Sequence, residues 1–244
     1  MSRLPDARCR CGRVRLICPC RSVSPPTKRL PPSGISNCAS LNTEPGPVPA
    51  SLLLSLETIV EPLDVNKLFA RRQPLQVELG SGDGSFLVQY AALHPECNFV
   101  GVERLLGRLR KIDRRGRRAG LTNLRGVRIE ASYFLEYLLP KNSVTALHVY
   151  FPDPWPKRKH RKHRLINDRF PQLARAALVP GGTVYLRTDH ADYFAQMQAV
   201  FEACPAFAQV PTPPSLSEVL TDFERGFLAR GIQTSRSAWQ LIMS

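Results

Sequence analysis

Short apolar runs alternate with amphipathic stretches between residues 75 and 204, and an acid stands at or near the end of each apolar run. Residues 75–79, 97–103, 124–130, 144–151 and 183–189 read as strands, the fourth of them rich in β-branched and aromatic side chains. Residues 85–93 carry apolar side chains at 86, 87, 90, 91 and 93, which suits a helix on a sheet. Residues 105–119 place Leu105, Leu109 and Ile112 on one helical face, and residues 165–178 place Ile166, Phe170, Leu173 and Ala177 on another. Residues 190–203 read as a further helix, and Pro180-Gly181-Gly182 as a turn. Strands alternating with helices predict an α/β fold with a doubly wound, mostly parallel sheet. Right-handed crossovers would then gather Glu78, Glu103, Glu130, Asp153 and Asp189 on one rim. Five acids on one rim point to an enzyme. Residues 51–72 read as a lead-in packed on the domain, with no clear secondary structure of its own.

The strand at 144–151 runs into Phe151-Pro152-Asp153-Pro154-Trp155-Pro156-Lys157 and then into Arg158-Lys159-His160-Arg161-Lys162-His163-Arg164. Each proline lacks an N–H and favours an extended residue before it, so Asp153 is expected in a stiff loop at the carboxyl end of a strand. Ligands of open α/β sheets bind at that end. A carboxylate, an indole and a block of cations are brought together there.

Upstream, Glu78-Leu79-Gly80-Ser81-Gly82-Asp83-Gly84 joins a strand to a helix, the setting in which a glycine turn binds a nucleotide. Glu103, at the next strand end, is placed to accept both hydroxyls of a ribose. Dinucleotide sites space their glycines G-x-G-x-x-G around a pyrophosphate, whereas here the spacing is G-x-G-x-G and Glu78 would repel one. The combination favours S-adenosylmethionine, with its ammonium and sulfonium, over a nicotinamide dinucleotide. Glu130 and Ala131 are candidates for the adenine edge.

Charge sharpens the choice of partner. The 244 residues carry a formal net charge of +14 and a pI near 10, which points to an acidic partner, nucleic acid first. Arg108, Arg110, Lys111, Arg114, Arg115, Arg117 and Arg118 dominate the helix at 105–119, as a solvated face or as a phosphate contact. No apolar stretch is long enough to span a membrane and no secretory leader is evident, so a cytoplasmic protein is expected.

Residues 1–50 differ from the rest: they are rich in proline and arginine and lack apolar periodicity, so a disordered extension is expected, with the domain at 51–244. Five of the 7 cysteines lie there. Cys9-x-Cys11 and Cys18-x-Cys20 are spaced too closely for a usual structural zinc site, and no metal is expected. An alternative is that translation starts downstream of this segment.

From about residue 70 onward the chain resembles the tRNA (guanine-N7)-methyltransferases, which modify guanosine 46 of the variable loop. The resemblance rests on the glycine motif after Glu78, on Gly101-Val102-Glu103, and on Phe151-Pro152-Asp153-Pro154-Trp155 with Lys157. Thr188-Asp189 and Thr221-Asp222-Phe223-Glu224-Arg225 extend it. It implies a seven-stranded methyltransferase sheet and S-adenosylmethionine as cofactor. It further implies a cofactor site of Glu78, Gly80, Gly82, Gly84, Glu103, Glu130, Ala131 and Asp153. Lys157, Asp189, Thr221, Phe223 and Glu224 would bind the guanosine and nearby tRNA, and no accessory protein would be required, as monomer or homodimer. Asp153 would position the base and stabilise charge. The family more often has Asp or Asn where Glu130 stands. Trp155 is a candidate base platform or a buried loop anchor. Thr221 and Glu224 also fit a helix capping box. An amino-group methyltransferase, a nicotinamide-dependent oxidoreductase and a non-catalytic RNA-binding protein are the alternatives.

Overall fold

A computed structural model describes residues 48–242. The expected disorder of residues 1–50 and the four paired cysteines therefore fall outside the described residues, save for positions 48–50. Eight strands form one sheet: β1 Leu53–Leu54, β2 Leu75–Leu79, β3 Asn98–Glu103, β4 Leu124–Arg128, β5 Val144–Tyr150, β6 Leu178–Thr188, β7 Phe207–Val210 and β8 Ser235–Leu241. Their order is β1-β4-β3-β2-β5-β6-β8-β7. All pairs are parallel except those of β8, which runs antiparallel to both β6 and β7. The strand beyond the expected seven is β1, two residues of the lead-in that pair with Gly126 and Val127 at the sheet edge. A segment so short carries no period for the sequence to reveal.

Among the described residues the α-helices are α1 Leu87–Leu93, α2 Leu106–Arg118, α3 Ala131–Tyr133, α4 Phe170–Ala177, α5 Ala191–Glu202, α6 Pro214–Glu218 and α7 Asp222–Leu228. Two apolar clusters cover the two faces of the sheet. Phe86, Leu87, Leu109, Ile112 and Leu216 bring α1, α2 and α6 onto one face. Phe134, Phe170, Tyr193, Met197 and Phe201 bring α4 and α5 onto the other. β3 is buried along its whole length, as a strand covered on both faces must be.

Four local expectations change. Leu105 is 47% exposed, and the buried stripe of α2 is Leu109, Ile112 and Gly116. The helix expected from residue 165 begins at Phe170, because Ile166 is buried outside it, its N–H bonded to the Tyr193 hydroxyl at 2.9 Å. Pro180-Gly181-Gly182 is not a turn ahead of the strand, which already begins at Leu178. It bulges out of β6, whose register against β5 jumps from Val144–Leu178 to Ala146–Thr183. Finally, Phe151 and Trp155, each before a proline, take φ of +51° and +42° rather than extended backbone.

β2 and β5 lie side by side, and the chain departs from β2 toward β3 and from β5 toward β6. The crevice beyond their carboxyl ends is the switch point at which doubly wound sheets bind ligands.

Candidate active site

The glycine turn follows β2 and closes against β3. Gly80 and Ser81 each donate their N–H to the Val102 carbonyl at 2.9 Å, and the Gly82 N–H reaches Glu103 Oε2 at 3.1 Å. Gly80 and Gly82 have φ of +81° and +55°, and a Cβ on either would meet nothing within 4 Å. Conformation demands glycine there, and the space it leaves open is where a ligand can touch backbone. Gly84, at φ +79°, needs glycine for conformation and for packing as well: a Cβ would come within 2.9 Å of Ile112 on α2.

Glu78, the penultimate residue of β2, is 3% exposed, and its Oε2 has no hydrogen-bond partner. Burial pushes its pKa up to about 8, against the opposing pull of the Arg187 guanidinium. An orphaned carboxylate oxygen lining a cavity is a seat for a cation or a donor. On the same layer His148 is fully buried between the Tyr150 hydroxyl and Gln76 Oε1, 2.8 Å from each, and burial pushes its pKa down to about 3.

Glu103 Oε1 accepts the Leu105 N–H at 2.7 Å. Its carboxylate thus braces both the glycine turn and the start of α2 while facing the cavity. Glu130 caps α3 by accepting the N–H groups of Ser132 and Tyr133 at 3.0 and 2.8 Å. Burial alone would raise its pKa; the hydrogen bonds from Ser132 and Tyr133, with Arg104 nearby, bring it below the usual value. The longer side chain at this position is therefore engaged by its own helix.

Two cavities adjoin across the loop after β5. One, about 390 Å³, is walled by Glu103, Glu130, Ala131, Asp153 and Trp155. The other, about 270 Å³, is walled by Glu78, Asp153, Asp189, Thr221 and Phe223. All five rim acids line one or the other, and Asp153 lines both. The loop holding Asp153 is fixed from behind. Arg164, 1% exposed, donates from Nε to the Pro154 carbonyl at 2.7 Å and from its amino groups to Gln196 and Asp192 at 2.8 and 2.6 Å. Arg164 is thus not a phosphate contact, as its place in the basic run implied, but the loop's anchor. Trp155 is not buried; it is 37% exposed and packs its edge on His160 and His163. Lys157 is exposed, lines neither cavity and opens a 3₁₀ segment, Arg158–His163, whose last residue, His163, lines the first.

On the opposite wall Thr221 caps α7 in a capping box with Glu224. Glu224, expected at the guanine edge, is fully buried. Its carboxylate holds Arg187 at 2.8 Å, Arg236 at 2.9 Å and the Thr221 N–H at 3.0 Å. Glu224 lines neither cavity and positions α7, while Phe223, 54% exposed, lines the second cavity. Arg187 was not singled out in the sequence. It is buried on β6, donates to the Val219 and Leu216 carbonyls, and stacks over the Tyr150 ring at 4.1 Å. A lone arginine in an apolar strand was the available sign. Arg115 ties the glycine turn to α7, lying 3.1 Å from Asp83 and 3.6 Å from Asp222.

Among the described residues no cluster of three or more His, Cys, Asp or Glu is placed to hold a metal ion, and no helix is long and apolar enough to cross a membrane.

A doubly wound sheet with an open glycine turn and a carboxylate-lined crevice defines a nucleoside-cofactor methyltransferase. Solved structures share this fold: 16S rRNA methyltransferase KamB at a TM-score of 0.54 and 16% identity, over 75% of this chain and 95% of that one. TrmN from Thermus thermophilus superposes at 0.51 with 19% identity, over 71% of this chain and 45% of that one. A family model described as "Putative methyltransferase" matches residues 72–236. The tRNA (guanine-N(7)-)-methyltransferase of Chromohalobacter salexigens is 38% identical over 72% of this chain and 72% of the relative. That of Syntrophotalea carbinolica is 37% identical over 72% and 77%. The chain belongs to the tRNA (guanine-N7)-methyltransferase family.

Proposed function

We propose that this protein transfers a methyl group from S-adenosylmethionine to N7 of a guanosine in tRNA, and that the guanosine is position 46 of the variable loop. The observation that carries the chemistry is the sharing of Asp153 by two cavities, one suited to the cofactor's nucleoside and the other to its amino acid moiety and the target base.

The residues present suit the cofactor. The free oxygen of Glu78 offers a partner for an ammonium, the bare backbone at Gly80 and Gly82 allows close approach, and Glu103 faces the first cavity where ribose hydroxyls would lie. Ala131, beside the capped Glu130, offers a small side chain to an adenine ring. When bound, S-adenosylmethionine supplies an electrophilic methyl group on a sulfonium.

Guanine N7 carries a lone pair and no proton, so the protein has no proton to remove before transfer. Its tasks are alignment and charge. The methylated base gains positive charge as the bond forms, and a fixed carboxylate beside it stabilises that growth. Asp153 has this role, held by a loop that Arg164 fastens from behind. Asp189, Thr221 and Phe223 form the wall against which the guanine is oriented. Lys157 and the exposed cations after it meet tRNA phosphates.

Purified protein incubated with unmodified tRNA and methyl-labelled S-adenosylmethionine, followed by mapping of the label, tests this directly. Label on N7 of the variable-loop guanosine is expected. Label on an exocyclic amino group would overturn the target atom, and label at another guanosine would overturn the position.

A further inference from the structure

The outer face of α2 adjoins the site without lining either of the two cavities. α2 carries a stripe of cations on the face opposite its buried residues Leu109, Ile112 and Gly116. The stripe is Arg110, Lys111, Arg114 and Arg118, all exposed. Arg108, Arg115 and Arg117, on the flanks, each lie near an acid: Glu103 at 4.0 Å, Asp83 at 3.1 Å and Asp113 at 3.8 Å. Among the described residues no acid lies within ion-pair distance of the four in the stripe. Arg110, Arg114 and Arg118 follow one another at i, i+4 and i+8, so each repels the next along the helix. Thirteen residues of helix extend about 20 Å. That is a line of charge that no ion pair among the described residues neutralises.

The stripe is also not isolated. Lys111 and Arg108 line a cleft of about 310 Å³ between α2 and α7, together with Gly82, Asp83, Asp222 and Phe223. Arg108, Gly82, Asp83 and Phe223 line the cavity of Glu78 and Asp153 as well. A chain leaving that cavity through the cleft passes the exposed ring of Phe223 and Lys111, then meets Arg114 and Arg118. The acids of the cleft do not cancel the charge, since Arg115 lies beside both Asp83 and Asp222.

Resting on the tRNA reading above, we infer that the outer face of α2 is a phosphate track: the strand flanking the target guanosine leaves through the α2–α7 cleft and runs along Lys111, Arg114 and Arg118, with Arg110 beside them. Repeated anionic charge along a flexible line matches this stripe, and each phosphate neutralised releases counterions.

The test is the triple variant R110Q/R114Q/R118Q, compared with wild type and with R175Q, which removes an exposed arginine of α4 on the other face of the sheet. Binding of unmodified tRNA is measured by fluorescence anisotropy across a salt series, and binding of S-adenosylhomocysteine by calorimetry. The triple variant is expected to bind tRNA at least tenfold more weakly near physiological salt, with the slope of log K against log salt shallower by about 2 to 3. Its affinity for S-adenosylhomocysteine and its Tm should not fall, and R175Q should match wild type. Unchanged tRNA affinity and salt slope in the triple variant would overturn the track and leave α2 a solvated face. So would an equal loss in R175Q, which would mean only diffuse attraction. Because binding is read without turnover, these outcomes stand apart from the labelling experiment: absence of N7 label in wild type would overturn the proposed reaction, not the track.

Discussion

Arg187 Nη1 lies 2.8 Å from Glu224 Oε2, and both side chains are 1% exposed. The pair bolts the carboxyl end of β6 to the first turn of α7, and so sets the distance between the rim acids and Phe223. Removing one partner of a buried pair strands the other charge, at a cost of roughly 3–5 kcal/mol. Arg187→Met should therefore lower unfolding free energy by about that much in denaturant titrations. Glu224→Gln, which keeps hydrogen bonds to Arg187, should cost less. If Glu224→Gln abolished tRNA methylation while stability and cofactor affinity stayed at wild-type values, direct contact with the guanine would be restored as its role.

Two buried groups on the same layer give opposite dependences of stability on pH. The Glu78 pKa rises from 4.5 to about 8 on folding, so its contribution is complete below pH 4.5 and is lost as pH rises toward 8. His148 falls from 6.5 to about 3, so its contribution is complete above pH 6.5 and is lost as pH falls toward 3. Between pH 4.5 and 6.5 the two cancel. The protein without cofactor should show a plateau there from these groups, a decline above it due to Glu78, and a decline below it due to His148. Each slope approaches about 1.4 kcal/mol per pH unit. Urea titrations across pH check this, and Glu78→Gln should remove the alkaline decline and turn the plateau into a continued rise up to pH 6.5, where His148 acts alone.

Asp153→Ala should lower kcat for tRNA methylation by about a hundredfold, the scale of losing one electrostatic contact to a transition state. Asp153→Asn should lie between. With no proton to abstract from N7, the wild-type kcat should show no limb requiring a deprotonated base near neutral pH. Steady-state kinetics across pH measures both, and full activity in Asp153→Ala would remove this residue from the chemistry.

Arg164→Met should release the Pro154 carbonyl and leave the loop of Asp153 without its rear support. Phe151 and Trp155 hold left-handed backbone at a cost of roughly 1–3 kcal/mol each, and that conformation persists only while its surroundings impose it. Expected is a fall in kcat with little change in affinity for S-adenosylhomocysteine, read by kinetics and calorimetry in parallel. A loss confined to KM for tRNA would instead make Arg164 part of the RNA surface.

What the sequence made legible was local. The glycine turn, Glu78 and Glu103 are separated by single elements whose period the chain displays, and all five rim acids line the site as strand ends required. Roles set by distant partners were hidden. Arg164 looked like one more cation in a basic run until Asp192 and Gln196 were seen behind it, 28 and 32 residues away. Glu224 looked like a recognition carboxylate until Arg187, 37 residues upstream, filled it. Leu105 fitted the helical stripe of α2 by spacing, but it is the N-cap and precedes the helix. The bulge in β6 was hidden because Pro-Gly-Gly has the composition of a turn, whichever side of it the strand resumes.

The bonds around α7 also bear on the order in which the molecule is made. Asp222 donates its N–H to Ser85, 137 residues upstream, and Glu224 neutralises an arginine on a strand synthesised earlier. On the ribosome, β2 to β6 emerge before α7 does, with Arg187 present and its counter-charge still unsynthesised. A sheet closed at that stage would bury an unmatched cation, so α7 must arrive before β6 can settle under α1. All five acids of the rim can thus exist in a nascent chain that cannot yet shape the target cavity, and the cavity is completed only once α7 has been made.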